Sequence, residues 1–238
     1  MSGARLFHLH IPKTAGTALR SAFGRAEHKI LPVGSNFVFD PARHGDVDLF
    51  SGHAGFRAVE ASPALRGKVI TILRDPYDRL MSYYYHLVQQ HRDGLENSHR
   101  SLLASKYNLA EFLAIKDDPH LLSDIYNTMT WQLVYDISVN ARMEYRSRMP
   151  AFSEADLVER AKANLSSFLV VGFQSQMGPF LSKLKEMSGF SGRLVTENAT
   201  AERVALHAID ADTRRRLRGW IELDLEVYEW ALANLGRD

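Results

Sequence analysis

The segment at residues 6–23 constrains the fold more than any other part of the chain. An apolar, strand-like run at residues 6–11 leads into a short loop, and a helix-like run at residues 18–23 leaves it. The loop contains Lys13, two threonines and Gly16. A tight turn from a strand into a helix directs backbone N–H groups to one point, where the helix dipole adds partial positive charge. The sequence therefore predicts a site for an anion, a phosphate or a sulfate ester, at this turn.

Strand-like and helix-like patterns alternate along the first third of the chain. The clearest strand is the β-branched run at residues 68–73, which an Arg-Asp-Pro turn follows. Asp75 can cap the next helix, with Pro76 at its first position. This alternation predicts an α/β fold with a parallel sheet. The strands are predicted at residues 5–11, 47–51, 68–73 and 168–173. The helices are predicted at residues 14–25, 76–92, 106–116, 120–136, 154–165, 176–188 and 211–235, with loops near 34–46, 93–100 and 189–199.

The composition narrows the class of protein. The chain has 238 residues, of which 45% are hydrophobic and 24% charged, and this predicts one globular domain over residues 1–238. A formal net charge of +1 argues against a nucleic-acid partner, and the lack of cysteine excludes disulfides, thiolate metal sites and a cysteine nucleophile. We find no signal peptide and no apolar run of about 18 residues, so we expect a cytoplasmic protein without membrane insertion.

A second cationic motif lies at residues 74–85. Arg74 falls at the carboxyl end of the strand at residues 68–73, where ligands collect in open α/β sheets. Ser82 lies about two turns into the following helix. A guanidinium fork and a hydroxyl group both suit a phosphate. Two anion sites on one small sheet predict a ligand with two separated anionic groups.

The loop at Lys13 differs from the phosphate loop of nucleoside-triphosphate enzymes. That loop has the pattern G-x-x-x-x-G-K-[ST], whereas Lys13 follows Pro12 directly and no glycine stands four or five positions before it. A strand that ends in a magnesium-binding aspartate is not evident either, although Asp48 lies in a short one. These differences argue against a kinase or GTPase of the usual kind. A kinase-like phosphotransferase that uses ATP and magnesium stays an alternative, and a non-catalytic nucleotide-binding module is another.

Residues 10–18 and 74–84, taken together and in this order, resemble the two cosubstrate signatures of sulfotransferases. The sequences are His-Ile-Pro-Lys-Thr-Ala-Gly-Thr-Ala and Arg-Asp-Pro-Tyr-Asp-Arg-Leu-Met-Ser-Tyr-Tyr. The resemblance is closest to the heparan sulfate 2-O-sulfotransferases and their bacterial relatives, and it continues more weakly at residues 127–133 and 170–173. It implies a P-loop-like three-layer α/β fold with a central parallel sheet and a helix-rich C-terminal half. It also implies 3′-phosphoadenosine 5′-phosphosulfate (PAPS) as the sulfuryl donor, which leaves 3′-phosphoadenosine 5′-phosphate (PAP).

The same resemblance assigns the cosubstrate contacts residue by residue. It implies that the 5′-phosphosulfate is held by the loop residues Lys13, Thr14, Ala15, Gly16, Thr17 and Ala18. It also implies that Arg74 and Ser82 hold the 3′-phosphate, and that Asn198 contacts the nucleotide from a late loop.

Sulfuryl transfer needs a general base and a cation near the leaving group. The reaction is an in-line displacement with charge spread over oxygens, so Lys13 suits the bridging oxygen and no metal is demanded. We expect His53 to be the base, because it follows the second predicted strand and Gly52 beside it permits close approach. The segment also resembles the Gly-His segment of the 2-O-sulfotransferase group. A loop histidine without a role is the alternative. Other candidates for the base are His10, His86 and Glu60.

The first predicted strand contains a His-x-His pair. Alternation along a strand puts His8 and His10 on one face. We interpret them as packing residues or as supports of a neighbouring group, and we predict no metal site.

The acceptor is predicted only as a class. We expect a carbohydrate or another small hydroxylated metabolite, and the sequence predicts no oligomeric state. Two basic groups could contact an acidic glycan, although a solvated face is the more common role of such charges. They are Arg92, His99 and Arg100 in a predicted loop, and Arg142, Arg146 and Arg148.

Overall fold

The structure, a computed structural model, describes residues 5–149, 151–190, 192–193 and 204–236. In that part of the chain, five parallel strands form one sheet in the order β2-β3-β1-β4-β5. The strands are β1 (Leu6–Leu9), β2 (Ile30–Val33), β3 (Leu49–Gly52), β4 (Val69–Leu73) and β5 (Val170–Phe173). The helices are α1 (Gly16–Arg25), α2 (Pro41–His44), α3 (Phe56–Glu60), α4 (Pro76–Arg92), α5 (His99–Lys106), α6 (Leu109–Phe112), α7 (Pro119–Ile125), α8 (Thr128–Val134), α9 (Val139–Arg148), α10 (Glu154–Ser166), α11 (Met177–Ser188) and α12 (Ala211–Leu235).

Helices cover both faces of the sheet and make the fold three-layered. On one face, Leu6 of β1 belongs to a core with Leu19 of α1 and Phe180 of α11. On the other face, Phe7 of β1 belongs to a core with residues of α3, α8, α10 and the second half of α12. Successive residues of a strand point to opposite faces, so the apolar run of β1 contributes to both cores. The predicted three-layer α/β fold with a central parallel sheet and a helix-rich C-terminal half is confirmed.

A separate apolar cluster joins α4, α5, α6 and α7 to the first half of α12. Its fully buried members include Leu80 of α4, Phe112 of α6 and Ile221 of α12. The helix α4 begins at Pro76 as predicted, because the side chain of Asp75 accepts a 2.9 Å hydrogen bond from the N–H of Asp78. The start of α4, directly after Arg74, is therefore fixed both by a cap and by a core.

Helix boundaries differ from the predictions where polar residues start new helices. The predicted helix at residues 120–136 is two helices, because Asn127 adopts a left-handed conformation (φ 45°) between α7 and α8. The predicted helix at residues 106–116 is wrong over most of its length, because Asn108 forms a capping box and begins the four-residue α6. The loop predicted up to residue 100 ends earlier, because the side chain of Ser98 caps α5.

The elements that were not predicted include the strand β2 and the helices α2, α3, α5 and α9. The strand β2 contains Pro32, which lacks a backbone donor and is tolerated because β2 lies at the edge of the sheet. The helix α2 has four residues and is capped by Asp40. The helix α9 is mostly polar, and its start is fixed by Ser138, whose side chain accepts from the N–H of Ala141 at 3.2 Å. The helices α2 and α9 contain few apolar residues, and the apolar β2 is interrupted by a proline.

The helix α12 bends at Ile221 (φ −134°), and the bend connects it to α8. The side chain of Asn127 accepts hydrogen bonds from the N–H groups of Leu223 (3.0 Å) and Asp224 (3.3 Å). In return, the buried carboxylate of Asp224 accepts from the N–H of Thr130 (2.8 Å) in the first turn of α8. A carboxylate at a helix N-terminus is favourable. These contacts fix α8 against the C-terminal helix.

Candidate active site

The carboxyl ends of β1, β3 and β4 lie side by side at one edge of the sheet. Leu9 at the end of β1 pairs in register with Gly52 at the end of β3, and β4 lies on the other side of β1. From these ends, the chain continues into the segments that contain Lys13, His53 and Arg74. All three residues therefore follow strands at the edge where α/β proteins bind ligands.

The turn between β1 and α1 has a backbone suited to an anion. Lys13 (φ 69°) and Ala15 (φ 72°) are both left-handed, which costs a residue with a side chain about 1–3 kcal/mol. Left-handed residues in a turn direct neighbouring N–H groups into one concavity. Ala15 is the N-cap of α1 and its side chain makes no capping hydrogen bond. Backbone strain and a helix N-terminus without a side-chain cap are together typical of a phosphate or sulfate site.

The other predicted loop residues differ in exposure. The hydroxyl of Thr14 is fully buried and donates a 2.8 Å hydrogen bond to the carbonyl O of Ile11, so it closes the loop. Thr17 is exposed and Ala18 is half-buried in the first turn of α1. Only Thr17 therefore presents a hydroxyl to solvent at the start of this helix.

Gly16 is required by the ring of His10. A Cβ atom at this position would lie 1.9 Å from Cδ2 of His10. The glycine therefore allows the first turn of α1 to approach the end of β1 more closely than any other residue would. This contact joins residues 13–18, the predicted anion loop, to the ring of His10.

Lys13 and Arg74 form a cationic pair. The Nη1 atom of Arg74 donates a 3.0 Å hydrogen bond to the carbonyl O of Lys13. Burial, and secondly the positive charge of Arg74, lowers the pKa of Lys13 to about 8. Lys13 is therefore mainly protonated at neutral pH, and an anion beside both cations would offset their repulsion. The two predicted anion motifs are neighbours in the fold.

His53 has a fixed tautomer. Its Nδ1 atom lies 3.0 Å from the carbonyl O of His10. A carbonyl oxygen can only accept, so Nδ1 carries the hydrogen and Nε2 keeps its lone pair. The side chain is exposed, and its ring lies against the ring of His10 with centroids 4.5 Å apart. An exposed histidine with an unprotonated Nε2 can accept a proton from a bound hydroxyl group.

His8 and His10 form a buried stack behind His53. Their ring centroids are 5.1 Å apart, and Nδ1 of His8 lies 2.9 Å from Oγ of Ser51. Burial, then electrostatic interactions with His53 and Arg20, lowers the pKa of His8 to about 3. Burial also lowers the pKa of His10 well below its usual value, with electrostatic interactions with His8, His53, Arg20 and Lys13 as the smaller causes. Both rings are therefore neutral, in agreement with their interpretation as packing residues.

These positions separate the candidates for the base. His10 is 6% exposed and has a strongly lowered pKa, so it is a poor proton acceptor. Burial, and secondly the charge of Lys13, lowers the pKa of His86, so this histidine is a weaker proton acceptor than an ordinary one. Glu60 is exposed at the last residue of α3. Among these groups, His53 alone combines exposure with a tautomer set by a backbone carbonyl. In the residues that the structure describes, no group of three or more metal-ligating side chains is arranged to hold a metal ion.

Two predicted cosubstrate residues are not brought to the cationic pair by visible contacts. Ser82 is 6% exposed in α4, and within the described ranges no hydrogen bond joins it to Lys13 or Arg74. Asn198 lies outside the described residues. Their roles stay predictions.

The basic groups considered for the acceptor are partly structural. Arg142 is 7% exposed and donates to the carbonyl oxygens of Leu122 (3.1 Å) and Tyr126 (2.9 Å). Arg100 lies in α5 and pairs with Asp124. The remaining members are distributed over α4, α5 and α9: Arg92, His99, Arg146 and Arg148. The loop predicted for Arg92, His99 and Arg100 is wrong, because these residues lie in α4 and α5. Arg100 and Arg142 are held by protein groups.

A cavity of about 280 Å³ lies between α8, α9, α10 and α12. Its lining includes Trp131, Arg146 and Leu223, and none of the predicted site residues. The cavity is therefore separate from the edge that holds Lys13 and His53.

Sequence reasoning missed one residue that touches this edge. The Nε2 atom of Gln132 in α8 donates to the carbonyl oxygens of His10 (3.0 Å) and Ala54 (3.2 Å). The weaker similarity at residues 127–133 was the available signal, but it contained no indication of which side chain reaches the site.

A strained loop, two cationic side chains and an oriented histidine thus share the carboxyl edge of a parallel sheet in an α/β protein. The chain matches the model of the Sulfotransferase family over residues 3–231, and it therefore belongs to this family. Membership supports a transferase that moves sulfuryl groups. No curated protein matches the chain. No helix in the described part of the chain has both the length and the apolar character needed to cross a membrane.

Proposed function

We propose that the protein is a PAPS-dependent O-sulfotransferase. The observation that carries the proposal is the proximity of a cationic pair and an oriented histidine. Arg74 contacts the backbone of Lys13, and His53 contacts the backbone of His10, three residues before Lys13. A donor with two anionic groups suits the cations, and a hydroxyl acceptor suits the histidine.

The residues present fit the cosubstrate. The left-handed turn at Lys13 and Ala15 and the start of α1 suit the 5′-phosphosulfate. Arg74 suits the 3′-phosphate, with Ser82 and Asn198 as further contacts implied by the resemblance to sulfotransferases. The cosubstrate supplies an activated sulfuryl group when it is bound. Because a sulfuryl group carries less negative charge than a phosphoryl group, cationic side chains can replace a metal here.

In the proposed mechanism, His53 acts as the general base. Its Nε2 accepts the proton of the acceptor hydroxyl as the new S–O bond forms. The bond between sulfur and the bridging oxygen breaks at the same time, and the electron pair stays on that oxygen. Lys13 offsets the negative charge that develops there. The hydrogen bond from Nδ1 to the carbonyl O of His10 orients the ring through this step.

We propose a carbohydrate or another small hydroxylated metabolite as the acceptor. The sulfotransferase family supports a hydroxylated acceptor in general terms. Assignment to the heparan sulfate 2-O-sulfotransferase group and a cytoplasmic location stay predictions from the sequence.

The first experiment identifies the nucleotide. Thermal shift is measured with PAP, and with ATP and GTP in the presence and absence of magnesium. We expect stabilisation by PAP without metal. A large shift with ATP and magnesium alone would contradict the proposal and favour the kinase-like alternative.

The second experiment measures transfer of labelled sulfate from PAPS to a panel of glycans, phenols and alcohols. His53→Ala should abolish transfer while affinity for PAP stays close to that of the wild type. The matched control is His120→Ala, because His120 is exposed on α7. Binding of PAP with no transfer to any acceptor would favour a non-catalytic module, and equal turnover in His53→Ala would remove this residue from the mechanism.

A further inference from the structure

We infer that Gln132 is a positioning residue that holds His53 in its reactive orientation, a role that rests on the proposed function. Gln132 lies in α8, 122 residues from His10 and 78 from Ala54 along the chain. The mechanism described above does not use this side chain, and the resemblance to sulfotransferases gave it no role.

The amide of Gln132 joins the two segments that flank the base. Its two N–H groups donate to the carbonyl oxygens of His10 (3.0 Å) and Ala54 (3.2 Å). Ala54 directly follows His53. The carbonyl O of His10 is the same atom that accepts the Nδ1–H of His53. One side chain therefore fixes both the hydrogen-bond acceptor of the base and the backbone next to it.

The burial of Gln132 indicates that the two hydrogen bonds donated by its amide offset the cost of burying that amide. The residue is 0% exposed, and its Oε1 atom has no hydrogen-bond partner in the described part of the chain. A buried polar atom without a partner costs about 1–3 kcal/mol. A methionine of similar volume would avoid this cost and fill the same space. The two donated hydrogen bonds are the gain that distinguishes glutamine from methionine here.

The loop that contains His53 also docks on α8 through its backbone. The N–H of Arg57 donates to the carbonyl O of Tyr135 at 3.0 Å. A Cβ atom at Gly55 would lie 2.0 Å from the same oxygen, so the loop and the helix are in close contact. The helix is anchored in turn by Asp224 at its N-terminus. Through its hydrogen bond to the carbonyl O of His10, Gln132 connects α8 to the end of β1 as well.

The activity test uses Gln132→Met, which removes both donors at similar volume. We expect kcat to fall at least about tenfold, with the KM for PAPS and the affinity for PAP nearly unchanged, because the anion loop keeps its own contacts. Any trace of transfer that remains in the His53→Ala background should be reduced no further by the same substitution. The matched control is Thr128→Val on the same helix. Thr128 is also fully buried, and its Oγ1 has no partner within the described ranges. We expect Thr128→Val to leave kcat unchanged.

A spectroscopic test measures the orientation of His53 without reference to activity. The ring nitrogens of His53 in ¹⁵N-labelled protein report which of them carries the hydrogen. We expect the Nδ1–H form in the wild type and in Thr128→Val, and a mixture of tautomers in Gln132→Met. If Gln132→Met does not fold, Gln132→Glu keeps the volume and replaces the two amide donors by a carboxyl group, which has one O–H donor when protonated and none when ionised. It should change the tautomers in the same direction.

The outcomes separate the two proposals. If the wild-type protein transfers no sulfuryl group but Gln132→Met loses the Nδ1–H form of His53, the proposed function is refuted. The inference that Gln132 orients His53 would then still hold. Wild-type kcat and an unchanged tautomer in Gln132→Met would overturn the role of Gln132. An equal loss of activity from Gln132→Met in the wild-type and His53→Ala backgrounds would overturn it as well.

Discussion

Replacement of Gly16 by alanine would test the contact between the anion loop and the histidines behind it. The added Cβ atom would lie 1.9 Å from Cδ2 and 2.1 Å from Nε2 of His10. The ring of His10 cannot move aside easily, because the rings of His8 and His53 both contact it, with centroids 5.1 Å and 4.5 Å away. We therefore expect the first turn of α1 to move and the anion loop to move with it.

The structure allows the size of the effect to be worked out. Overpacking of a buried contact costs about 1–3 kcal/mol. Alanine in place of glycine in a helix returns about 0.5–1 kcal/mol. The two ranges leave a net loss for Gly16→Ala of about 0–2.5 kcal/mol, centred near about 1 kcal/mol. Affinity for PAP should also fall, because the displaced residues include Ala15 and Lys13.

The measurement is urea denaturation, with PAP binding followed by calorimetry. Gly219→Ala is the matched control, because a Cβ atom at this position in α12 would have no atom within 4 Å. It should stabilise the protein by about 0.5–1 kcal/mol and leave binding unchanged. His10→Ala should recover part of the stability that Gly16→Ala loses, because the two residues are in contact. A Gly16→Ala variant with wild-type stability and wild-type affinity for PAP would refute the reasoning.

Three further predictions concern charged residues. Affinity for PAP should fall as the pH rises through about 8, where free Lys13 loses its proton, and Lys13→Met should abolish this dependence in calorimetry. Between about 8 and the usual lysine value of 10.5, the unfolded chain binds more protons at Lys13 than the folded chain, so the free energy of unfolding should rise with pH relative to Lys13→Met. Asp224→Ala should cost at least about 3 kcal/mol in urea denaturation, because it leaves the N–H of Thr130 unpaired and removes a carboxylate that faces the buried Arg79. The exposed Asp212→Ala should cost about 0.5 kcal/mol, and an equally small loss for Asp224→Ala would contradict its anchoring role.

The parts of the fold that depend on local signals could be predicted from the sequence. The strands β1 and β4 have apolar patterns, and α4 has both Asp75 and Pro76 at its start. The break at Asn127 could not be predicted in this way, because its left-handed conformation depends on contacts with Trp220 and Leu223 in α12. Local periodicity contains no information about a partner that lies more than 90 residues away.

The candidate site shows the same division. The anion loop and Arg74 were predicted because each motif lies within one turn between a strand and a helix. The orientation of His53 was not predicted, because its partner is a backbone carbonyl that follows another strand. Gln132 was missed for a related reason, since a buried glutamine inside an apolar helix has no signature of its own. Backbone acceptors contribute to a site regardless of residue type, so a sequence pattern does not reveal them.

The bend of α12 at Ile221 has a consequence for biosynthesis. Asp224 and Leu223, which anchor α8 through its first turn and through Asn127, are among the last residues of the described chain to leave the ribosome. The nascent chain can pair its first four strands long before this anchor exists. The edge of the sheet that holds His53 should therefore reach its final structure late. A product that stops short of residue 222 should keep the central strands, while the loop at His53 lacks a fixed support.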